Sequence, residues 1–247
     1  MVPRESFEKI KFLKIIFYSL LLIYILYLLY DLVKGDSGRY VWTIFAIALV
    51  LLPFAFEKYS GMYFPWEIKI IVVLSLLLHT MGEFHRWYYT LTHYDKISHI
   101  VSSIGIAYLI FIFLIFIELY YGLKWKSNQA VFFIFIITIS FALYWEWWEL
   151  FSDHYYGSKF FWDMQDGIGD AIANSAGAVV AAWDANHYLK RRSEEDIAKD
   201  FIIQNENRRH KIRWGILPIE NDKVIKEEKK RISHRGAKGG PMASLED

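Results

Sequence analysis

Cysteine is absent from the 247-residue chain, which excludes disulfides and thiolate-held metals at once. An excess of either charge is lacking as well. The 28 Lys and Arg are matched by 27 Asp and Glu, so no global basic field points to nucleic acid. No Walker loop and no Gly-x-Ser-x-Gly elbow is present. Nucleotide-phosphate cradles and serine-hydrolase chemistry of those kinds are therefore not expected.

What the chain does have is apolar mass. Hydrophobic residues make up 55% and aromatics 19%, both high for a soluble domain. Charge is unevenly placed: residues 190–247 hold 15 Lys/Arg and 11 Asp/Glu, against 13 and 16 in the first 189. This reads as an apolar body, 1–189, forming a transmembrane helical bundle, and a charged cytoplasmic tail, 190–247, partly helical and partly disordered. The first hydrophobic run is longer than a signal-peptide core and lacks a small-x-small cleavage site, so it reads as a retained span.

A membrane-crossing helix needs about 20 mostly apolar residues. Six runs qualify, near 12–33, 40–56, 67–84, 97–122, 129–151 and 166–188. The expected fold is all-α, a polytopic membrane helical bundle of about six transmembrane helices. The sixth run, "GIGDAIANSAGAVVAAW", is made mostly of small residues. Gly169, Ala173, Gly177 and Ala181 recur every four positions and share a face that lets helices approach closely, which predicts a central place in the bundle. With the N-terminus inside, eleven Lys/Arg, among them Arg4, lie near inner span ends; five lie outside, namely Lys34, Arg39, Arg86, Lys96 and Lys159. That bias predicts that both termini are cytoplasmic and that the protein is multi-pass in the cell (plasma or inner) membrane. The final "GAKGGPMASLED" reads as disordered or foreign to the fold.

This topology gathers the ionisable clusters. Span three ends "HTMGEF", span four begins "HYDKISH", span five ends "WEWWELFSD", and span six begins "DMQDGIGD". All four lie at one membrane level, near the outer surface. Residues three or four apart share a helix face, which pairs His79 with Glu83, Asp95 with His99, and Glu146 with Glu149. Asp163, Asp166, Asp170 and Asn174 form one stripe. A central Asp costs about 2.5 to 3.5 kcal/mol to insert, less near the interface, so these groups need water, cations, protonation or a metal. Two histidines among carboxylates are an N/O donor set suited to a divalent metal: Zn, Mn, Fe or, with more water, Mg.

On that reading His79, Glu83, His99, Asp166 and Asp170 are the candidate metal ligands. Asp95 and Glu146 are the candidate general bases. Arg86 and Lys96, at headgroup level, are the candidate holders of an anionic substrate. Plainer roles stand beside these. Glu83 can pair with His79 and Arg86, Asp95 suits a helix start, and Asp163 and Asp166 suit caps. His99, Asp170, Asn174 and Glu146 lie too deep for capping. The aromatics Trp87, Tyr88, Tyr89, Trp145, Trp147 and Trp148 read as an interfacial belt.

The blocks "HTMGEFHRWYYTLTHYDKISHIVSS", "WEWWELFSD" and "DMQDGIGDAIANSAGA" resemble the YjdF-type family of predicted inner-membrane proteins. More distantly, Asp95-Lys96-x-x-His99, a later Glu at 146 or 149, and Asp166, Asp170, Asn174 and Gly177 resemble the VanZ-like family. The likeness implies the fold and the motif positions, not a reaction. "DGIGDAIAN" lacks the arginine of the CDP-alcohol phosphotransferase pattern, and no Pro-Ser-Gly-His phosphatase block is present.

Three functions follow as expectations. The first is a metal-dependent enzyme acting on a lipid or lipid-linked substrate within the lipid bilayer. The second is a non-catalytic protein that binds or transports a cation or lipid headgroup. The third is an envelope assembly factor whose polar cluster only orders the bundle. Whether the chain is an enzyme stays open at this point.

Overall fold

The structure, a computed structural model, describes residues 7–35, 37–156 and 163–201. The expectations for Arg4, Lys159 and the sequence beyond 201 lie outside the described residues. Every regular element described is a helix. These are α1 (Phe7–Lys34), α2 (Ser37–Ser60), α3 (Trp66–His85), the single turn α4 (Trp87–Thr90), α5 (Tyr94–Tyr121), α6 (Ser127–Tyr156), α7 (Met164–Arg191) and α8 (Glu194–Phe201).

Each expected span is found as a helix, a few residues longer than its apolar run. Five of them (α1, α2, α3, α5 and α6) are long and apolar enough to cross a membrane. α7 has the length but falls short on apolar content. Asp166, Asp170, Asn174 and Asp184 interrupt it, and Ala and Gly supply little hydrophobicity.

Two apolar clusters organise the bundle. One is built from α1, α2 and α3, with Phe17, Tyr24, Val50 and Val73 at its centre. The other joins α5, α6, α7 and the short α8 through Ile112, Ile115, Ile134, Ala182 and Phe201. α3 and α5 connect the halves, and α5 packs on α3, α6 and α7. The centre of the bundle is therefore α5 and not, as the small-residue face predicted, α7. One side of α7 is buried, but Ile168, Ile172, Val179, Val180 and Trp183 are exposed on the other.

The small face does what its spacing implied. A Cβ added at Gly177 would stand 2.5 Å from the Ile100 carbonyl oxygen and 2.9 Å from Ser103 Cβ on α5. Only a hydrogen fits there, and that allows the two backbones to close together. α7 also runs through the boundary drawn at 189/190. α8 then folds back onto the bundle, burying Ile197 and Phe201, while the Tyr63 amide donates to the Phe201 carbonyl at 2.6 Å. This part of the charged tail is packed structure.

Candidate functional site

The site grows from the N-terminal turns of α5 and α7. α7 is started by Asp163, whose Oδ1 accepts from the Asp166 amide at 2.8 Å, a side-chain cap of the ordinary kind. Asp163 is thereby committed to the backbone. Asp166 and Asp170, one turn apart, face α5. α5 begins after His93, which takes a left-handed φ of +68°, and its first two turns present Asp95, Lys96 and His99 to α7.

Lys96 occupies the middle of the carboxylates. Its Nζ donates to Asp166 Oδ1 and Asp170 Oδ1, both at 2.6 Å, and to Asp95 Oδ2 at 3.0 Å. The Asp166 carbonyl lies at 3.2 Å. An ammonium has three donors, so Lys96 is fully engaged. Its aliphatic stem crosses α7 at Gly169, where a Cβ would come within 2.9 Å of Lys96 Cε.

Beneath Lys96 lies His99, 4% exposed. Its Nε2 is 3.3 Å from Asp95 Oδ1 and 3.5 Å from Asp170 Oδ1. Its Nδ1 is 3.2 Å from Asn174 Nδ2, and Asn174 Oδ1 accepts from Ser103 Oγ at 2.6 Å. The chain Ser103–Asn174–His99 fixes the imidazole plane and leaves Nε2 directed at the two carboxylates. Asp95, His99 and Asp170 can each offer one donor atom such that all lie within 4.8 Å of one another.

Glu146 reaches this group from α6. It is close enough to His99, Asp170, Asp95 and Lys96 to feel their charge. Both of its carboxylate oxygens are buried without a hydrogen-bond partner, a costly state for a carboxylate. Its neighbour Glu149 accepts from Trp145 Nε1 at 2.8 Å, so the two glutamates of "WEWWEL" have different surroundings.

The remaining expected site residues lie apart from this group. His79 on α3 has both ring nitrogens engaged. Nε2 is hydrogen-bonded with Ser102 Oγ at 3.0 Å, and Nδ1 with the Tyr88 hydroxyl at 2.5 Å. It meets His99 edge to face, with ring centroids 6.2 Å apart. Glu83 is exposed at the rim, one turn beyond His79. Arg86 is also exposed, with a left-handed φ of +57° and its guanidinium 5.6 Å from the Tyr89 ring. Asp166 is tied to Lys96 and is not in the three-residue group.

Three contributors escaped the sequence reading: Ser102, Ser103 and Tyr88. The serines sit on the His99 side of α5, where Ser103 is one turn beyond His99, and that spacing was the available signal. Tyr88 was expected in the interfacial belt. Instead it is packed against Gly82, where a Cβ would stand 2.5 Å from its ring. Burial holds its phenol well above the ordinary pKa, so it stays protonated beside His79.

A family model described as "Predicted membrane protein (DUF2238)" matches residues 15–191. That stretch takes in nearly all of α1 through α7 and so the whole group around His99. No curated protein and no solved structure gave a significant match. The chain therefore belongs to the DUF2238 family of predicted membrane proteins.

Proposed function

We propose that the chain binds a divalent metal among Asp95, His99 and Asp170, and that the bound metal serves chemistry on a lipid or lipid-linked substrate at the membrane surface. The observation that carries this reading is the meeting of those three donors from two helices within 4.8 Å. Metal–ligand bonds of about 2.0–2.2 Å place neighbouring ligand atoms roughly 3 to 4 Å apart, so a small contraction completes the set.

Charge supports the same reading. Asp95, Asp166, Asp170 and Glu146, counted as ionised, oppose one ammonium and one imidazole. With His99 protonated, two negative charges remain if Glu146 is ionised and one if it holds a proton, in either case in a largely buried place. A divalent cation would close that balance. It would also lower the pKa of a bound water or polarise a phosphoryl or carbonyl oxygen. In this scheme Asp95, His99 and Asp170 would hold the metal and Glu146 would stand ready to accept a proton. Asn174, with its amide turned so that Oδ1 accepts from His99 Nδ1, would free Nε2 for the metal, and Lys96 would balance the remaining carboxylate charge. Arg86, at the rim, meets an anionic headgroup.

α7 is the sixth span in this proposal, and both termini face the cytoplasm across the plasma or inner membrane. The alternating order of the helices and the Lys/Arg bias support that topology. The ordered sequence blocks support a YjdF-type place within the family and a distant VanZ-like kinship.

Metal analysis of detergent-purified protein tests the proposal. About one equivalent of Zn, Mn or Fe is expected in the wild type, with at least a tenfold loss in Asp170→Asn and His99→Ala. Lipid extracts of cells carrying the same variants should accumulate an unprocessed lipid. Metal-free wild-type protein that still supports the cellular phenotype would sink it.

A second reading has one observation in its favour. Lys96 already fills the space between three carboxylates, as a competing cation would in a binding or transport protein. Among the described residues, α7 offers it no polar path onward from Asn174. Beyond Asn174 the buried residues of α7 are Ala and Gly, and Asp184 is hydrogen-bonded by Tyr108 at 2.9 Å near the other end. A proton- or cation-flux assay in liposomes separates the two readings.

A further inference from the structure

The far end of α5 carries a second polar site. Lys96 and Glu118 are separated along that helix by roughly 33 Å at the standard rise per residue, so this site is remote from His99. A cavity of about 410 Å³ lies where the end of α5, the 122–126 loop, the start of α6, the end of α7 and α8 meet. Lys124, Lys126 and Arg192 line it, with Glu118 as the carboxylate in the wall. With Asp200 counted beside Arg192, three cations stand against two carboxylates, and the balance still favours an anion.

The walls are held in place. Trp125, also in the lining, donates from Nε1 to the Leu114 carbonyl at 3.2 Å, which draws the loop back along α5. Gln129 accepts from the Lys126 amide at 3.0 Å. Ser127, the first residue of α6, is hydrogen-bonded to Asn186 of α7. α8 is fixed by the Tyr188 hydroxyl, which donates to Asp200 at 2.7 Å. Asp200 in turn stands 4.0 Å from Arg192 Nε, and the Arg192 guanidinium lies 5.7 Å from the Tyr188 ring. Arg192 is thus positioned before any ligand arrives. α6 starts in the cavity wall, and the positive end of a helix favours phosphate.

We propose that this cavity binds the phosphodiester headgroup of an anionic phospholipid, in the leaflet opposite the His99 site. Basic pockets at the ends of membrane helices suit such headgroups, and the volume lies within the range of small-ligand pockets. A phosphate alone would leave Glu118 facing an anion. A headgroup that also carries hydroxyl donors, as phosphatidylglycerol does, satisfies the cations and the carboxylate together. The exposed Leu123 beside the cavity lies where the acyl chains would emerge.

The test is native mass spectrometry of the full chain in detergent, titrated with dioleoyl-phosphatidylglycerol, dioleoyl-phosphatidylcholine or glycerol 3-phosphate. The wild type should retain phosphatidylglycerol at least tenfold better than phosphatidylcholine. Lys124→Gln/Lys126→Gln should lose that preference with an unchanged melting temperature, since both side chains are exposed. His99→Ala should keep it, which separates this site from the proposed metal site. Equal retention of the two lipids by the wild type, or an unaltered preference in the double variant, would overturn the proposal. Displacement of phosphatidylglycerol by equimolar glycerol 3-phosphate would assign the cavity to a soluble phosphate and overturn it equally.

Discussion

Lys96 sets the character of the candidate site more than any carboxylate does. Its ammonium lies within 3.0 Å of three aspartates, so it neutralises the group and competes for it. Two unit charges about 5 Å apart interact by roughly 3 kcal/mol at an effective dielectric near 20. Lys96→Met should therefore tighten divalent-metal binding at least tenfold, measured by isothermal titration in detergent. It should also lower stability by about 1 to 3 kcal/mol, less than for a wholly buried pair because Lys96 remains 28% exposed. Weaker metal binding in that variant would mean that Lys96 supports the site and does not compete with the ligand. The sequence made Lys96 a headgroup contact because it opens a span. A long side chain on a first turn can reach outward or across, and only the small residue at Gly169 allows it to cross α7.

At the scale of elements, the closeness of α5 and α7 is what makes the site. Asp95 and His99 come from one helix and Asp170 from the other, so any spacer between the helices separates the donors. Gly177→Leu is that spacer, because even a Cβ would meet the Ile100 carbonyl at 2.5 Å. Overpacking of this kind costs about 1 to 3 kcal/mol, which a thermal melt would read. Metal retention should fall with it, although position 177 touches no ligand. A variant that melts early but still holds metal would show that the donors tolerate separation. Much of this element-level picture was legible beforehand. The runs gave the helices, their alternation brought the clusters to one end of the bundle, and i, i+4 spacing paired Asp95 with His99 and put Asp166, Asp170 and Asn174 on one face. Rotation about each helix axis was not legible. Glu83 and His79 are one turn apart on α3, yet Glu83 lies exposed near the helix end while His79, a turn deeper, meets Ser102 of α5. Helix in the tail was expected, but the packing of α8 was hidden by composition, its two apolar anchors, Ile197 and Phe201, lying in a segment that reads as charged.

For the whole molecule, the absence of cysteine turns sidedness into a clean experiment. Single cysteines placed at Thr92 and Leu123, both exposed in connections between helices, will be the only thiols in the chain. A membrane-impermeant maleimide applied to intact cells should label Thr92→Cys and spare Leu123→Cys until the membrane is opened. The reverse pattern would invert the proposed orientation, and equal labelling would contradict a membrane crossing by α5. The proposed topology would put the two polar sites at opposite surfaces, with the apolar length of α5 between them.

The reach of Lys96 across to α7 has a consequence for how the chain is made. Among the described long helices, α7 comes latest in the chain and is the least able to enter lipid by its own apolarity. When it emerges, α5 has already been synthesised, and an ammonium waits there some seventy residues upstream of Asp166 and Asp170. The acidic end of α7 thus meets a partner that precedes it in the chain, and its glycines and alanines pack against that helix. Packing of α7 is then a docking step onto helices that precede it in the chain, with α5 as its template.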